Sequence, residues 1–139
     1  MDAMDTTRRP PMSLPAAVVV VDGIGRFRPC GKYSLVEAVD LVSHAIAHCR
    51  TGGIDRLLVD ATGLTNLPVP TLVERFLMVE DWAHEAEGKV TVSMVVQAEY
   101  IHPQKFAVKV AERFGLVCDV HTSEADAMHW LIHGPTRPE

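Results

Sequence analysis

The segment from Asp55 to Leu72 constrains the fold of this chain more than any other segment. It opens with a charged pair, continues with three aliphatic residues and reaches Asp60, which is the pattern of a short strand buried on both faces. A turn-rich loop with two closely spaced prolines follows, and then a helical pattern begins. In open α/β sheets, ligands bind at the carboxyl ends of such strands, in the loops that follow them. We therefore expect an interior strand over Asp55–Asp60 and a candidate site in the loop after it.

The composition predicts one globular domain. The chain has 139 residues, of which 47% are apolar and 22% are charged, as in an average globular domain. Its net charge of -5 and its scattered basic residues argue against nucleic-acid binding. We expect a flexible arm over residues 1–13, a single domain over 14–134 and a short tail over 135–139.

The longest apolar run, Leu14–Val21, is too short to cross a bilayer, which takes about 20 residues. Asp22 and Gly23 follow it directly, without the small-residue cleavage pattern of a signal peptide. We therefore expect a cytoplasmic protein without a transmembrane segment.

Strand patterns alternate with helical patterns along the chain, which predicts an α/β fold in the order ββαβαβαβα. The sheet should be mostly parallel, with about five strands, and should open with a hairpin. The predicted strands are Ala16–Asp22, Ile24–Arg28, Asp55–Asp60, Lys89–Val96 and Leu116–His121. The four predicted helices are one capped by Ser34 and ended by Gly52, one over Pro70–Glu87, one over Pro103–Phe114, and one capped by Ser123.

This order, with the residues after the central strand, resembles the STAS family, which comprises the anti-sigma-factor antagonist domains and their SpoIIAA-like relatives. In classical members a strand ending in Asp is followed by a Ser-Gly-Val-Thr type turn and then by an Asp-Ser-Ser-Gly-Leu motif that opens a helix. Asp60–Leu67 is similar to the first part, and Ser123–Leu131 is similar to the acidic turn and Ala-x-x-Trp-Leu helix that close many SpoIIAA-like sequences. The resemblance implies a regulatory, non-enzymatic protein-interaction module of STAS-like fold.

The phosphorylatable motif of the family is not retained. It would fall on Pro68–Leu72, where Val69 and Pro70 replace the two serines and only Leu72 matches. Thr71 is the one hydroxyl left in this segment, and the neighbouring prolines make the loop stiff. The phosphoserine switch that the resemblance implies therefore does not carry over to this chain.

Asp60 is the most prominent polar candidate, together with Thr62 and Asn66 in the loop after the central strand. A carboxylate at this end of a strand can act as a general base or metal ligand. The competing interpretation, which we favour, is that Asp60 accepts hydrogen bonds from the loop backbone of Thr62 and Gly63. A small enzyme using Asp60 or the thiol of Cys30 is a third functional hypothesis, although no catalytic motif is recognised.

Two histidine pairs have the i, i+4 spacing of zinc motifs, His44 with His48 and His129 with His133. Neither has the acidic neighbour or third ligand of such a motif. We predict no metal site and no cofactor. The cysteines are odd in number and widely spaced, so we expect free thiols, with Cys49 and Cys118 in the core.

The predicted helix after the central loop has two rows of side chains along its length, each at helical spacing. We predict that one stripe packs on the sheet and that the other forms a partner-binding surface outside the core, because Trp, Met and Arg are enriched at interfaces. On this basis, replacing Met78 and Trp82 together by alanine should cost about 1 kcal/mol or less. The predicted core stripe is Leu72, Phe76, Val79, Ala83 and Ala86, and the predicted partner-binding stripe is Thr71, Arg75, Met78 and Trp82. The alternative is that Trp82 packs against a neighbouring helix.

The partner would be another protein or a second copy of this chain in a homodimer. The alternative function is binding or carriage of a small apolar, lipid-like ligand in a pocket. An open apolar cavity beside the central loop would favour the ligand, whereas a solid core with Trp82 exposed would favour the partner-binding stripe. The side chains predicted to line the pocket are those of Leu67, Val69, Phe76, Phe106 and Val110.

Overall fold

The computed structural model describes residues 18–134. The predicted arm over residues 1–13 and the tail over 135–139 lie outside the described residues. The strands are β1 (Val18–Val21), β2 (Ile24–Phe27), β3 (Cys30–Lys32), β4 (Arg56–Asp60), β5 (Gly63–Thr65), β6 (Thr91–Val95) and β7 (Cys118–His121). The helices are α1 (Leu35–Thr51), α2 (Leu72–Ala86), α3 (Phe106–Arg113) and α4 (Glu124–His133), with a 3-10 turn over Ala98–Tyr100.

Five strands form the main sheet in the order β1-β2-β4-β6-β7. The β1–β2 hairpin is antiparallel, and every later pair in this sheet is parallel. This is the predicted α/β architecture, a mostly parallel sheet opened by a hairpin and combined with four α-helices in residues 18–134. Among these residues, no helix has the length and apolar character needed to span a bilayer.

The prediction of an interior strand over Asp55–Asp60 is confirmed. β4 lies between β2 and β6, and its residues Leu57, Leu58 and Val59 are at most 1% exposed. The strand is buried on both faces because α1 and α2 cover one side of the sheet and α4 covers the other. Its carboxyl end, at the partly exposed Asp60, leads into the loop over residues 61–70.

Helix α1 begins as the sequence predicts. The Ser34 hydroxyl accepts a hydrogen bond from the backbone N–H of Glu37, and the Glu37 carboxylate accepts one from the Ser34 N–H, which is a capping box. The buried face of the helix includes Cys49, which packs over Gly25 of β2. A Cβ at Gly25 would meet the Cys49 Sγ at 3.0 Å, so a glycine lets the helix approach the sheet closely.

Two short strands were not predicted. β3 and β5 form a separate parallel pair in which Gly31 lies opposite Leu64, where the sequence pattern indicated only loops. The pairing gives the loop after β4 a fixed path and buries Leu64. It also places Cys30 on an exposed strand.

The orientation predicted for α2 is wrong. Three members of the predicted core stripe, Val79, Ala83 and Ala86, are buried, but Leu72 and Phe76 are 50% and 41% exposed. The buried face instead runs through Arg75, Val79, Trp82 and Ala86. The helix is thus rotated about its axis relative to the prediction, which leaves an apolar face towards solvent.

Helix α3 is shorter than predicted. It begins at Phe106, after Lys105 in the left-handed backbone region, and its predicted apolar face is only partly correct. Val110 and Ala111 are buried, whereas Phe114 is 39% exposed. The last helix begins as predicted, with the Ser123 hydroxyl accepting a hydrogen bond from the helix backbone.

Candidate functional site

An apolar pocket of about 120 Å³ lies beside the loop that follows the central strand. α1 and α2 form two of its walls, and the loop over residues 61–70, the carboxyl end of β6 and the segment that follows β6 form most of the rest. The pocket is partly open to solvent. Its lining side chains are almost all apolar, and they include those of Ala38, Val39, Ala61, Leu64, Leu67, Pro68, Pro70, Arg75, Met78, Trp82, Met94 and Tyr100.

Backbone contacts hold the loop wall of the pocket in place. The Ala61 N–H donates to the carbonyl of Val95 at 2.9 Å, which extends the β4–β6 pairing by one residue. The Tyr100 hydroxyl then donates to the carbonyl of Leu67 at 2.7 Å. Prolines at 68 and 70 restrict the backbone directly after Leu67. The pocket is therefore preformed rather than dependent on a mobile loop.

The side chain of Trp82, on α2, packs against α1. This side chain is 5% exposed, and its indole Nε1–H donates to the Val39 carbonyl of α1 at 3.1 Å. The prediction that Trp82 is partly exposed is therefore wrong, whereas Met78 is partly exposed as predicted, although it packs against the core. Trp82 is buried, Met78 is half-buried, and both line the pocket. The alternative interpretation, in which Trp82 packs against a neighbouring helix, is confirmed.

Arg75 is the charged residue of the pocket wall. It is 9% exposed, and its Nη1–H donates to the backbone carbonyl of Tyr100 at 2.8 Å. The remaining member of the predicted partner-binding stripe, Thr71, caps α2. Its hydroxyl accepts from the N–H of Glu74, and the Glu74 carboxylate accepts from the Thr71 N–H. Thr71, Arg75, Met78 and Trp82 thus do not form one exposed surface.

The predicted pocket lining is correct at one position. Leu67 lines the pocket. Val69 and Phe76 are exposed, and Phe106 and Val110 pack with the core on the side of α3. The prediction fails at Phe76 because α2 is rotated, so that Trp82 and Met78 line the pocket and Phe76 faces solvent.

Asp60 acts as a turn-capping residue. Its Oδ1 accepts from the Thr62 backbone N–H at 3.0 Å and from the Thr62 hydroxyl at 2.6 Å. The interpretation of Asp60 as a hydrogen-bond acceptor for its own loop is confirmed at Thr62. Asn66, the third loop candidate, is exposed with a φ of 68°, and this left-handed geometry is one that asparagine tolerates. Asn66 does not line the pocket.

An ion pair at the same edge of the sheet was not predicted. The Arg28 guanidinium donates to both carboxylate oxygens of Glu124, at 2.6 and 2.7 Å. The hydrogen bonds from Arg28 hold the pKa of Glu124 at about 2, below its usual 4.5. Because Arg28 and Glu124 are 96 positions apart, no local pattern indicates the pair.

Residues 18–134 contain no group of three His, Cys, Asp or Glu side chains that could hold a metal ion. The His129 and His133 rings stack at 4.2 Å without a third ligand. Cys49 lies in the core and Cys118 packs against it, as predicted. Burial raises the pKa of the Cys49 thiol to about 11 and that of Cys118 to about 12.

The outer face of α2 forms an exposed apolar cluster with the end of α3, which we call the α2 patch. Phe76 and Phe114 meet edge to face, with ring centroids 5.4 Å apart. Each member of the patch is at least 39% exposed. The α2 patch consists of Leu72, Val73, Phe76, Leu77 and Phe114.

A crystal structure of an anti-sigma factor antagonist from Mycobacterium paratuberculosis is similar to this fold. The two structures align with a TM-score of 0.54 and 14% sequence identity, over 83% of this chain and 91% of the other chain. This chain has the STAS-like fold. No family model and no curated protein matches its sequence.

The segment Pro68–Leu72, where the phosphorylatable motif of the family would fall, contributes to the pocket wall in this chain. Pro68 and Pro70 line the pocket, and Val69 between them faces solvent. The hydrogen bonds of Arg75 with Tyr100 and of Tyr100 with Leu67 were not predicted from the sequence. They join α2 and the loop to a 3-10 turn, and this turn has no apolar periodicity. The one sequence feature that could have indicated them is the position of Arg75 within the mostly apolar run Leu72–Val79.

Proposed function

We propose that this chain is a non-enzymatic regulatory module of STAS type that binds a protein partner through the α2 patch. The observation that carries this proposal is the exposure of several large apolar side chains on one helix face. Contiguous apolar surface is uncommon on monomeric proteins and marks interaction sites. The patch belongs to the helix after the central loop, which is the element that the sequence predicted as the contact region.

The proposed partner is an anti-sigma factor, because the solved structure that shares this fold is that of an anti-sigma factor antagonist. The three free cysteines support a reducing, cytoplasmic setting for such a complex. Because Val69 and Pro70 stand in place of the serines, control of binding through phosphoserine is not part of this proposal. Self-association through the α2 patch is the competing outcome.

The test compares two charge substitutions at similarly exposed apolar positions. Leu77 in the α2 patch is 55% exposed, and Ile132 on α4 is 52% exposed. Leu77→Glu should weaken binding to a cognate anti-sigma factor at least about tenfold, because it places a charge within an apolar interface. Ile132→Glu should bind within about twofold of the wild-type protein, since surface changes away from the interface cost little.

Isothermal titration calorimetry against the purified anti-sigma factors of the source organism measures these affinities. The proposal is rejected if no anti-sigma factor binds, or if both variants bind equally well. Analytical ultracentrifugation of the protein alone tests the competing outcome. A wild-type dimer that Leu77→Glu converts to a monomer would identify the patch as a homodimer interface.

A second candidate function is binding of a small apolar ligand, and the pocket beside the central loop favours it. The pocket is preformed, nearly all apolar and partly open to solvent, which are common properties of ligand sites. At about 120 Å³ it is smaller than the roughly 300 Å³ at which typical ligand pockets begin. A whole lipid therefore does not fit, and the ligand would be compact.

A further inference from the structure

Among the residues that the structure describes, Arg75 is the one charged residue that lines the mostly apolar pocket. Arg75 is 91% buried, given its exposed fraction of 9%, and it shares the pocket wall with Met78 and Trp82. Arginine has five N–H donors and keeps its charge at all physiological pH values. Within residues 18–134, one side-chain hydrogen bond of Arg75 is present, to the carbonyl of Tyr100.

No carboxylate in the described part of the chain neutralises this charge. The other strongly held basic side chains, those of Arg28, Arg50 and Lys105, each lie within 4.0 Å of an Asp or Glu oxygen. Arg75 forms no such ion pair among residues 18–134. A buried charge is costly unless it is paired, so an anion that entered the pocket would satisfy donors that the protein leaves available.

The size of the pocket limits the rest of the ligand. A dry cavity of about 150 Å³ in another protein binds benzene, and the pocket here, at about 120 Å³, is slightly smaller but opens to solvent. A body of about six carbon atoms therefore fits. The flat face of Trp82 and the flexible side chain of Met78 can pack against such a body.

We infer that the pocket binds a small monocarboxylate with a compact apolar body, such as an aromatic carboxylate. The carboxylate accepts hydrogen bonds from the free N–H groups of Arg75, which match its two oxygens in a bidentate arrangement. The apolar body lies between Trp82 and Met78. This inference rests on the second candidate function, since it requires that the pocket take a ligand.

The test uses two probes of similar size, benzoate with its charge and toluene without one. The chain has two tryptophans, so the indole N–H signals in a nitrogen-15 NMR spectrum report two sites. Trp82 lines the pocket, while Trp130 lies on α4 at the other face of the sheet and serves as an internal control. Benzoate should shift the Trp82 signal in a saturable manner and leave the Trp130 signal unchanged.

Arg75→Met removes the charge but keeps a long side chain, and it should weaken benzoate binding at least about tenfold, the loss expected for charge-assisted hydrogen bonds. It should leave toluene binding within about twofold. Arg56→Met, at the exposed opposite end of β4, is the matched control and should bind benzoate normally. Ala38→Leu fills the pocket without touching the charge and should abolish binding of both probes.

Each outcome separates the inference from the function on which it rests. If toluene binds as tightly as benzoate and Arg75→Met changes neither affinity, the pocket binds apolar ligands and the carboxylate inference is wrong. If neither probe shifts the Trp82 signal of the wild-type protein, both the inference and the apolar-ligand function are wrong. A Trp130 indole signal at the same chemical shift as in the wild-type protein shows that each variant is folded, because Trp130 lies on α4 away from the substituted positions.

Discussion

Replacing Trp82 by alanine is expected to lower the free energy of unfolding by about 3–5 kcal/mol, as for other buried aromatic residues. The indole is 5% exposed and joins α1 to α2 through the hydrogen bond to Val39. Its removal deletes the apolar contacts between the two helices and leaves a cavity. The pocket adjoins this position, so partial relaxation or entry of water should place the loss towards the lower end of that range.

Two further substitutions divide this loss into its causes. Trp82→Phe keeps an aromatic ring and removes the donor to the Val39 carbonyl, so it should cost about 1–2 kcal/mol. Leu77→Ala, on the exposed face of the same helix, should change the stability by about 0.5 kcal/mol or less. The pair of alanine substitutions thus compares the two apolar faces of α2 directly.

Urea unfolding followed by far-ultraviolet circular dichroism measures these differences, because tryptophan fluorescence is itself altered by the substitution. Equal slopes against urea would show that the variants unfold by the same transition. A loss of about 1 kcal/mol or less for Trp82→Ala, similar to that for Leu77→Ala, would refute the assignment of Trp82 to the helix–helix interface. It would instead support the exposed stripe that the sequence predicted.

The remaining predictions concern the ion pair, the thiols and the histidines. The pKa of Glu124 in the folded protein lies near 2, below its usual 4.5, so the stability gained from Arg28 is present above about pH 4.5 and is lost as the pH falls towards 2. Glu124→Gln should reduce the loss of unfolding free energy between pH 4.5 and pH 2 by about 1 kcal/mol or less, because the pair is exposed. An unchanged pH dependence of the unfolding free energy would contradict the pairing. Iodoacetamide should label Cys30 in the folded protein faster than the half-buried Cys118, and it should label Cys49 only after unfolding, because burial disfavours the thiolates of Cys49 and Cys118; equal labelling rates for the three thiols would contradict this order. Metal analysis should find no stoichiometric zinc, since no histidine pair has a third ligand within residues 18–134; one tightly bound zinc per chain would contradict this.

The central strand and α1 could be predicted from sequence because their signals are local. Leu57, Leu58 and Val59 form an uninterrupted apolar run that suits only a buried strand in an α/β order. Ser34 and Glu37 satisfy the first free N–H groups of α1 by themselves. Neither feature depends on knowledge of distant residues, so the structure agrees with both predictions.

The orientation of α2 could not be predicted because the helix has apolar residues on two faces. Periodicity favours burial of Phe76 over Arg75, since a charged side chain is rarely buried. The structure buries Arg75 because Tyr100, 25 positions later, supplies a carbonyl to its guanidinium. A sequence pattern within one helix does not contain this contact, and the pocket beside it depends on the same rotation.

The exposed α2 patch carries the proposed function, and an NMR footprint of the complex tests it most directly. Carbon-13 methyl signals of Leu72, Val73 and Leu77 would be compared with that of Ile132 while an unlabelled anti-sigma factor is added. The proposed function predicts that the three α2 signals shift or broaden at stoichiometric concentrations, whereas the Ile132 signal on α4 stays unchanged. Perturbation of Ile132 with unchanged α2 signals would show that the partner binds another face of the fold.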